Sequence, residues 1–121
     1  MSSAGPRATV RFVDQSLEVE VELGGTILGA AKRCGAPEGD ACGGVCACST
    51  CHVYVDEGGE LLSEPSEGEE DVLDKAFDVR LGSRLGCQAR IERPGTLVVR
   101  ISNESLDAFY NEHPNVPRPP R

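Results

Sequence analysis

Apolar and polar residues alternate without a break from Leu17 to Leu23, with Glu18, Glu20 and Glu22 separating Leu17, Val19, Val21 and Leu23. A period of two puts the apolar side chains on one face of a strand and the carboxylates on the other. Just upstream, Thr9 to Val13 carries Val10 and Phe12 on one face, and Asp14, Gln15 and Ser16 supply turn residues between the two runs. The pair predicts a β-hairpin. Gly24-Gly25 then interrupts the pattern, Thr26 is placed to cap a helix, and Ile27 to Cys34 forms that short helix with Gly35 ending it.

The pattern resumes as a strand over Val53–Val55, and Gly58-Gly59 and Ser63-Glu64-Pro65 mark a connecting loop. Ser66 with Glu69 three residues later reads as a capping box for a second helix, in which Val72, Leu73, Ala76 and Phe77 make an apolar stripe. A strand from Gln88 to Glu92, a Pro94-Gly95 turn and a strand from Thr96 to Ile101 are expected to close the domain as a pair. This order of elements predicts an α+β domain, a mixed sheet packed on a helix. Residues 1–6 read as a flexible leader and 7–102 as one domain; from Asn103 the pattern fades, so 103–121 is expected to be a Pro-rich, disordered tail.

Charge changes this picture in one place. The formal net charge is −8, and the segment from Asp56 to Asp78 holds ten acidic residues against Lys75 alone. The rest of the chain is close to neutral. Such a balance excludes nucleic acid, whose phosphates would repel it, and no run of residues is long and apolar enough to span a membrane. With no apolar signal segment before Ala8, a monomeric cytoplasmic protein is expected.

The cysteines carry the chemistry. Four of the six lie within Ala41–His52, Ala-Cys-Gly-Gly-Val-Cys-Ala-Cys-Ser-Thr-Cys-His, a stretch too rich in glycine and small side chains to pack a core. Cys48 and Cys51, two residues apart, can place both sulfurs on one metal, and Cys42 can reach round from upstream. Cys87 is the candidate fourth ligand, because Cys34 sits in a helical pattern and Cys46 lies between two ligands. Four thiolates from one loop and one distant residue suit a 2Fe-2S cluster, with Gly43 and Gly44 letting backbone N–H groups approach its sulfides. Other readings fit less well: structural zinc favours two close ligand pairs, and a Cys48/Cys51 redox dithiol should open a helix rather than precede a strand. Cys46 is either a spare thiol for cluster or sulfur handling or a small residue near the cluster.

The Cys-rich loop, together with Ser83-Arg84-Leu85-Gly86-Cys87-Gln88-Ala89-Arg90 and the acidic segment Glu69–Ala76, resembles the adrenodoxin-type 2Fe-2S ferredoxins. The closest resemblance is to the bacterial ferredoxins of iron–sulfur-cluster assembly, which carry a similar extra cysteine at the position of Cys46. It implies a β-grasp 2Fe-2S ferredoxin-like fold with the cluster loop at one edge, and an electron-transfer protein rather than an enzyme. It also implies Cys42 and Cys48 on the iron that takes the electron, and Cys51 and Cys87 on the inner iron. His52 is then a buried hydrogen-bonding residue that couples the loop to the helical region.

The implied partners are an NAD(P)H-dependent ferredoxin reductase and a basic acceptor, either a cysteine desulfurase of the assembly machinery or a haem-thiolate monooxygenase. Asp71 and Asp74 would contact them, with Glu67 and Glu70 as supporting charges.

Overall fold

The computed structural model describes residues 7–38, 51–74, 79–80 and 82–116. The alternating segments form the hairpin: β1 (Arg7–Phe12) pairs antiparallel with β2 (Leu17–Glu22), Val10 opposite Val19. Ser16 takes a left-handed conformation, φ 53°, to turn the chain between them. Helix α1 (Ile27–Cys34) starts where Thr26 Oγ1 accepts a hydrogen bond from Gly29 N, and ends at Gly35, whose N–H donates to Ala31 O. Its buried Ile27, Leu28, Ala30 and Ala31 turn one face to the sheet.

Strand β3 (His52–Glu57) follows the cysteine loop, and helix α2 (Glu67–Leu73) follows the capping Ser66. Then come β4 (Ser83–Leu85), β5 (Gly95–Ile101) and helix α3 (Asn103–Glu112). The sheet order is β2-β1-β5-β3-β4, with β5 parallel to β1 and antiparallel to β3. The central strand is therefore the last one in the chain. Leu97, Val99 and Ile101 of β5 meet Val10 and Phe12 of β1, Ile27 and Ala30 of α1, and Ile91, all in one buried cluster.

Two sequence expectations are corrected. Residues 88–92 do not form a strand paired with β5; Arg90 bridges Thr26 and Ile91 bridges Leu62, two isolated contacts that lace the chain over the core. Burial of Leu97, Val99 and Ile101 is satisfied only at the sheet centre, so β5 takes β1 and β3 as neighbours. Nor does order end at residue 102. Ser102 Oγ accepts from Ser105 N to start α3, Ser105 is buried, and Leu106 packs on the core. Residues 103–112 are thus helical and packed on the core through Leu106, while residues 1–6 and 117–121 lie outside the described part.

One turn leaves no room for a side chain. Gly58 sits at φ +87°, and a Cβ there would stand 2.6 Å from the carbonyl oxygen of Thr96. The obstacle is backbone, so no rotamer change relieves it. Gly58→Ala is expected to cost about 2 kcal/mol, roughly 5–10 °C in Tm, read by thermal unfolding followed by circular dichroism.

Candidate metal centre

Cys51 and Cys87 come from segments 36 residues apart, yet their sulfurs stand 3.2 Å apart. The architecture forces the meeting. Cys51 immediately precedes β3, Cys87 lies two residues beyond β4, and these strands pair with His52 opposite Leu85. The turn after β4 is tied back by Gly86 N donating to Cys51 O at 2.9 Å. A Cβ at Gly86 would meet the carboxylate of Glu38, which would have to move aside.

The sulfur separation is far longer than the ~2.05 Å of a disulfide and somewhat shorter than the ~3.8 Å expected for two sulfurs each ~2.3 Å from one tetrahedral metal. Cys51 is fully buried and Cys87 half-buried. Cys87 N lies 3.5 Å from Cys51 Sγ, and Gln88 Nε2 lies 3.5 Å from Cys87 Sγ, so donors already point at both sulfurs. In the metal-free chain the Cys51 thiol is pushed well above its ordinary value, first by its hydrogen bond with Cys87 and then by burial. A metal held there would displace that proton and relieve the penalty. Two thiols converging in this way are a donor set that would suit one iron of a 2Fe-2S cluster, and Cys51 and Cys87 are the described residues that would hold it.

Leu73 of α2 and Leu85 pack with Cys51 in a second apolar cluster, and Val72 and Cys87 lie against it. The acidic helix is thereby fixed next to the cysteine pair. Glu67, Glu70, Asp71 and Asp74 are all exposed, as the sequence predicts. Glu69 is not, and its role differs from the expected one. Its carboxylate is buried, Oε2 accepting from Arg84 Nε at 2.7 Å and from Leu85 N at 3.0 Å, and Oε1 from Arg84 Nη2 at 3.1 Å. Only half of the capping box forms in the expected way, through Ser66 Oγ and Glu69 N. Asp56 is likewise bound by Arg100, Nε to Oδ2 at 2.7 Å. Of the described acids in the segment, Glu69 and Asp56 are thus matched by arginines, while Glu67, Glu70, Asp71 and Asp74 stay exposed on and just after α2.

His52 is wholly buried as predicted, its Nε2 2.8 Å from Ser83 Oγ, and Ser83 Oγ also accepts from Arg80 N at 2.7 Å. Its ring meets Tyr54 edge-on at 4.9 Å, and Arg80 and Arg100 lie over the Tyr54 ring at 4.7 and 5.5 Å. Cys34 stays on α1, its Sγ directed to Ala31 O at 3.7 Å. Cys42, Cys46, Cys48, Gly43 and Gly44 lie outside the described residues, as do Lys75, Ala76, Phe77 and Asp78.

Comparison with known proteins agrees with this geometry. The 2Fe-2S iron-sulfur cluster binding domain family matches residues 11–92. A 2Fe-2S ferredoxin of Escherichia coli is 51% identical over 89 residues, covering 74% of this chain and 79% of the relative. That of Haemophilus influenzae is 41% identical over 96 residues, 79% of this chain and 84% of the relative. Among solved structures, the ISC-like 2Fe-2S ferredoxin FdxB of Pseudomonas putida aligns with a TM-score of 0.70 at 40% identity, over 80% of this chain and 92% of that one. Reduced putidaredoxin from the same species aligns with a TM-score of 0.64 at 29% identity, over 80% of this chain and 96% of that one.

The β-grasp sheet, with buried Cys51 and half-buried Cys87 at one edge, is that of the 2Fe-2S ferredoxins it matches, which are electron-transfer proteins. The chain belongs to the 2Fe-2S ferredoxin family and carries a 2Fe-2S cluster, close to the ferredoxins of the ISC type.

Proposed function

We propose that the cluster is held by Cys42, Cys48, Cys51 and Cys87, and that the protein carries single electrons from an NAD(P)H-dependent reductase to the iron–sulfur-cluster assembly machinery. The observation that carries this reading is the Cys51–Cys87 sulfur pair packed directly against the base of a helix whose outer face is acidic. Held by these four cysteines, a 2Fe-2S cluster would supply one-electron storage. The chain supplies the rest. Donors from Cys87 N and Gln88 Nε2 offset charge on the sulfurs, burial of Cys51 keeps water away, and α2 presents its carboxylates beside them.

A one-sided field of this kind speeds encounter with a basic partner and leaves the complex short-lived, which suits a shuttle. Support for a reductase comes from a solved complex of putidaredoxin with putidaredoxin reductase, whose ferredoxin is 26% identical to this chain and aligns with a TM-score of 0.61. Support for an assembly acceptor such as a cysteine desulfurase comes from the likeness to the ISC-like ferredoxin. A second acceptor, a haem-thiolate monooxygenase or other oxygenase, is kept by the alignment with putidaredoxin. Among the described residues no helix is long and apolar enough to cross a membrane, and we place the protein, as a monomer, in the cytoplasm with its bacterial relatives.

Asp71→Asn with Asp74→Asn tests the docking face. Each removes one exposed charge without touching the cysteines, and rim charges act mainly on association rate. The double variant is expected to slow reduction by a reductase about tenfold at low salt and to flatten its salt dependence, with an unchanged visible spectrum. Reduction kinetics that match the parent protein at every ionic strength would reject α2 as the docking surface.

A further inference from the structure

The first turn of α3 holds His52 from two directions. Ser102 N donates to His52 O at 3.2 Å, and Glu104 Oε1 faces His52 Nδ1 at 3.9 Å across a site where the imidazole is wholly buried. That distance is too long for a hydrogen bond, so the contact acts through the carboxylate's field on the ring. On the far side, Nε2 meets the hydroxyl of Ser83, which already accepts the N–H of Arg80. The hydroxyl has one proton to give.

These partners decide the tautomer. With the proton on Nδ1, the ring N–H points at the Glu104 carboxylate and Nε2 accepts from Ser83. With the proton on Nε2, a nitrogen lone pair would face the carboxylate oxygen in a buried site, which is repulsive. We propose that Glu104 is a positioning residue: from the C-terminal helix it fixes His52 as the Nδ1–H tautomer and so orients the strand segment that follows Cys51. Residue 104 lies beyond the 11–92 span of the family domain. A helix outside the family unit thus braces the iron–sulfur site. The consequence for the cluster rests on Cys51 being a ligand; the tautomer assignment does not.

Nitrogen-15 spectra of the oxidised holoprotein labelled at histidine test this, with only two histidines in the chain and the exposed His113 as internal reference. The expected spectrum has His52 Nδ1 protonated and Nε2 bare. Glu104→Ala should shift population to the Nε2–H form and speed bleaching of the visible bands under a chelator several-fold. Glu104→Gln, which keeps the side chain's shape but removes the charge that acts on the ring, should shift both in the same direction as Glu104→Ala. An Nε2–H tautomer in the parent protein, or an unchanged tautomer in Glu104→Ala, would overturn the proposal. If Glu104→Ala does not fold, the parent and Glu104→Gln spectra still decide it. A changed tautomer with an unchanged bleaching rate would overturn the bracing role, and visible bands that survive Cys51→Ser would locate that failure in the ligand assignment.

Discussion

Replacing Cys87 with serine is expected to strip the cluster, lowering iron and sulfide bound per chain by at least about tenfold, the lower end of what even outer-shell changes cost. Serine keeps the shape, but its hydroxyl stays protonated at neutral pH, whereas a thiol gives up its proton to a metal. Among the described residues no other thiol is placed to take its position. Cys34 is held on α1 with its sulfur directed to Ala31 O, and the turn carrying Cys87 is pinned by Gly86 N to Cys51 O. Cys34→Ser therefore serves as the control and should leave the visible spectrum unchanged. Iron, sulfide and absorbance measured on both variants check the pair: full loading of Cys87→Ser would remove that residue from the ligand set, and loss of colour in Cys34→Ser would put the wrong cysteine in it.

The second large effect lies at Glu69. Its carboxylate accepts three hydrogen bonds, two from a guanidinium whose side chain is 12% exposed and one from the backbone of Leu85. Removing one member of a buried pair leaves the other charge and an N–H without an acceptor, at a cost of about 3–5 kcal/mol. Glu69→Ala is expected to lose that much in urea denaturation. Since Arg84 and Leu85 form β4, two residues before Cys87, the loss should also loosen the cysteine turn and speed cluster release. Removing both charges should cost less than the sum of the single changes, because neither is then stranded. Additive losses for Glu69→Ala, Arg84→Met and the double variant would show that the pair is not coupled.

What could be read in the sequence was whatever short-range patterns encode. The β1–β2 hairpin follows from strict alternation, α1 from Thr26 and Gly35 at its ends, and the start of α2 from Ser66. The cysteine pair was legible for a different reason: spacing and chemistry named Cys51 and Cys87 before any geometry did, and the structure brings them together. Pairing across long separations was not legible. A three-residue strand such as β4 is too short to show a period, and the position of β5 between β1 and β3 depends on which apolar residues are buried together rather than on its turn.

Glu69 shows the same limit in one side chain. Three residues after Ser66 it looks like a cap, and its true partner lies 15 residues further on. The helix α3 is another matter, for its signal was present. Ser102 caps it, and Leu106, Phe109 and Tyr110 recur at helical spacing, with Phe109 stacked on His113 at 4.3 Å. Prolines further on masked a pattern that ends before them.

The central claim is that this chain carries one electron at a time on a 2Fe-2S cluster held by its own cysteines. Electron paramagnetic resonance of the anaerobically purified protein during a dithionite titration tests it most directly, with iron counted on the same sample. Two irons per chain, a silent oxidised state, and one spin-one-half signal per chain that grows as the visible bands bleach are expected. A colourless protein that binds zinc, or a signal that needs two electrons to appear, would contradict it.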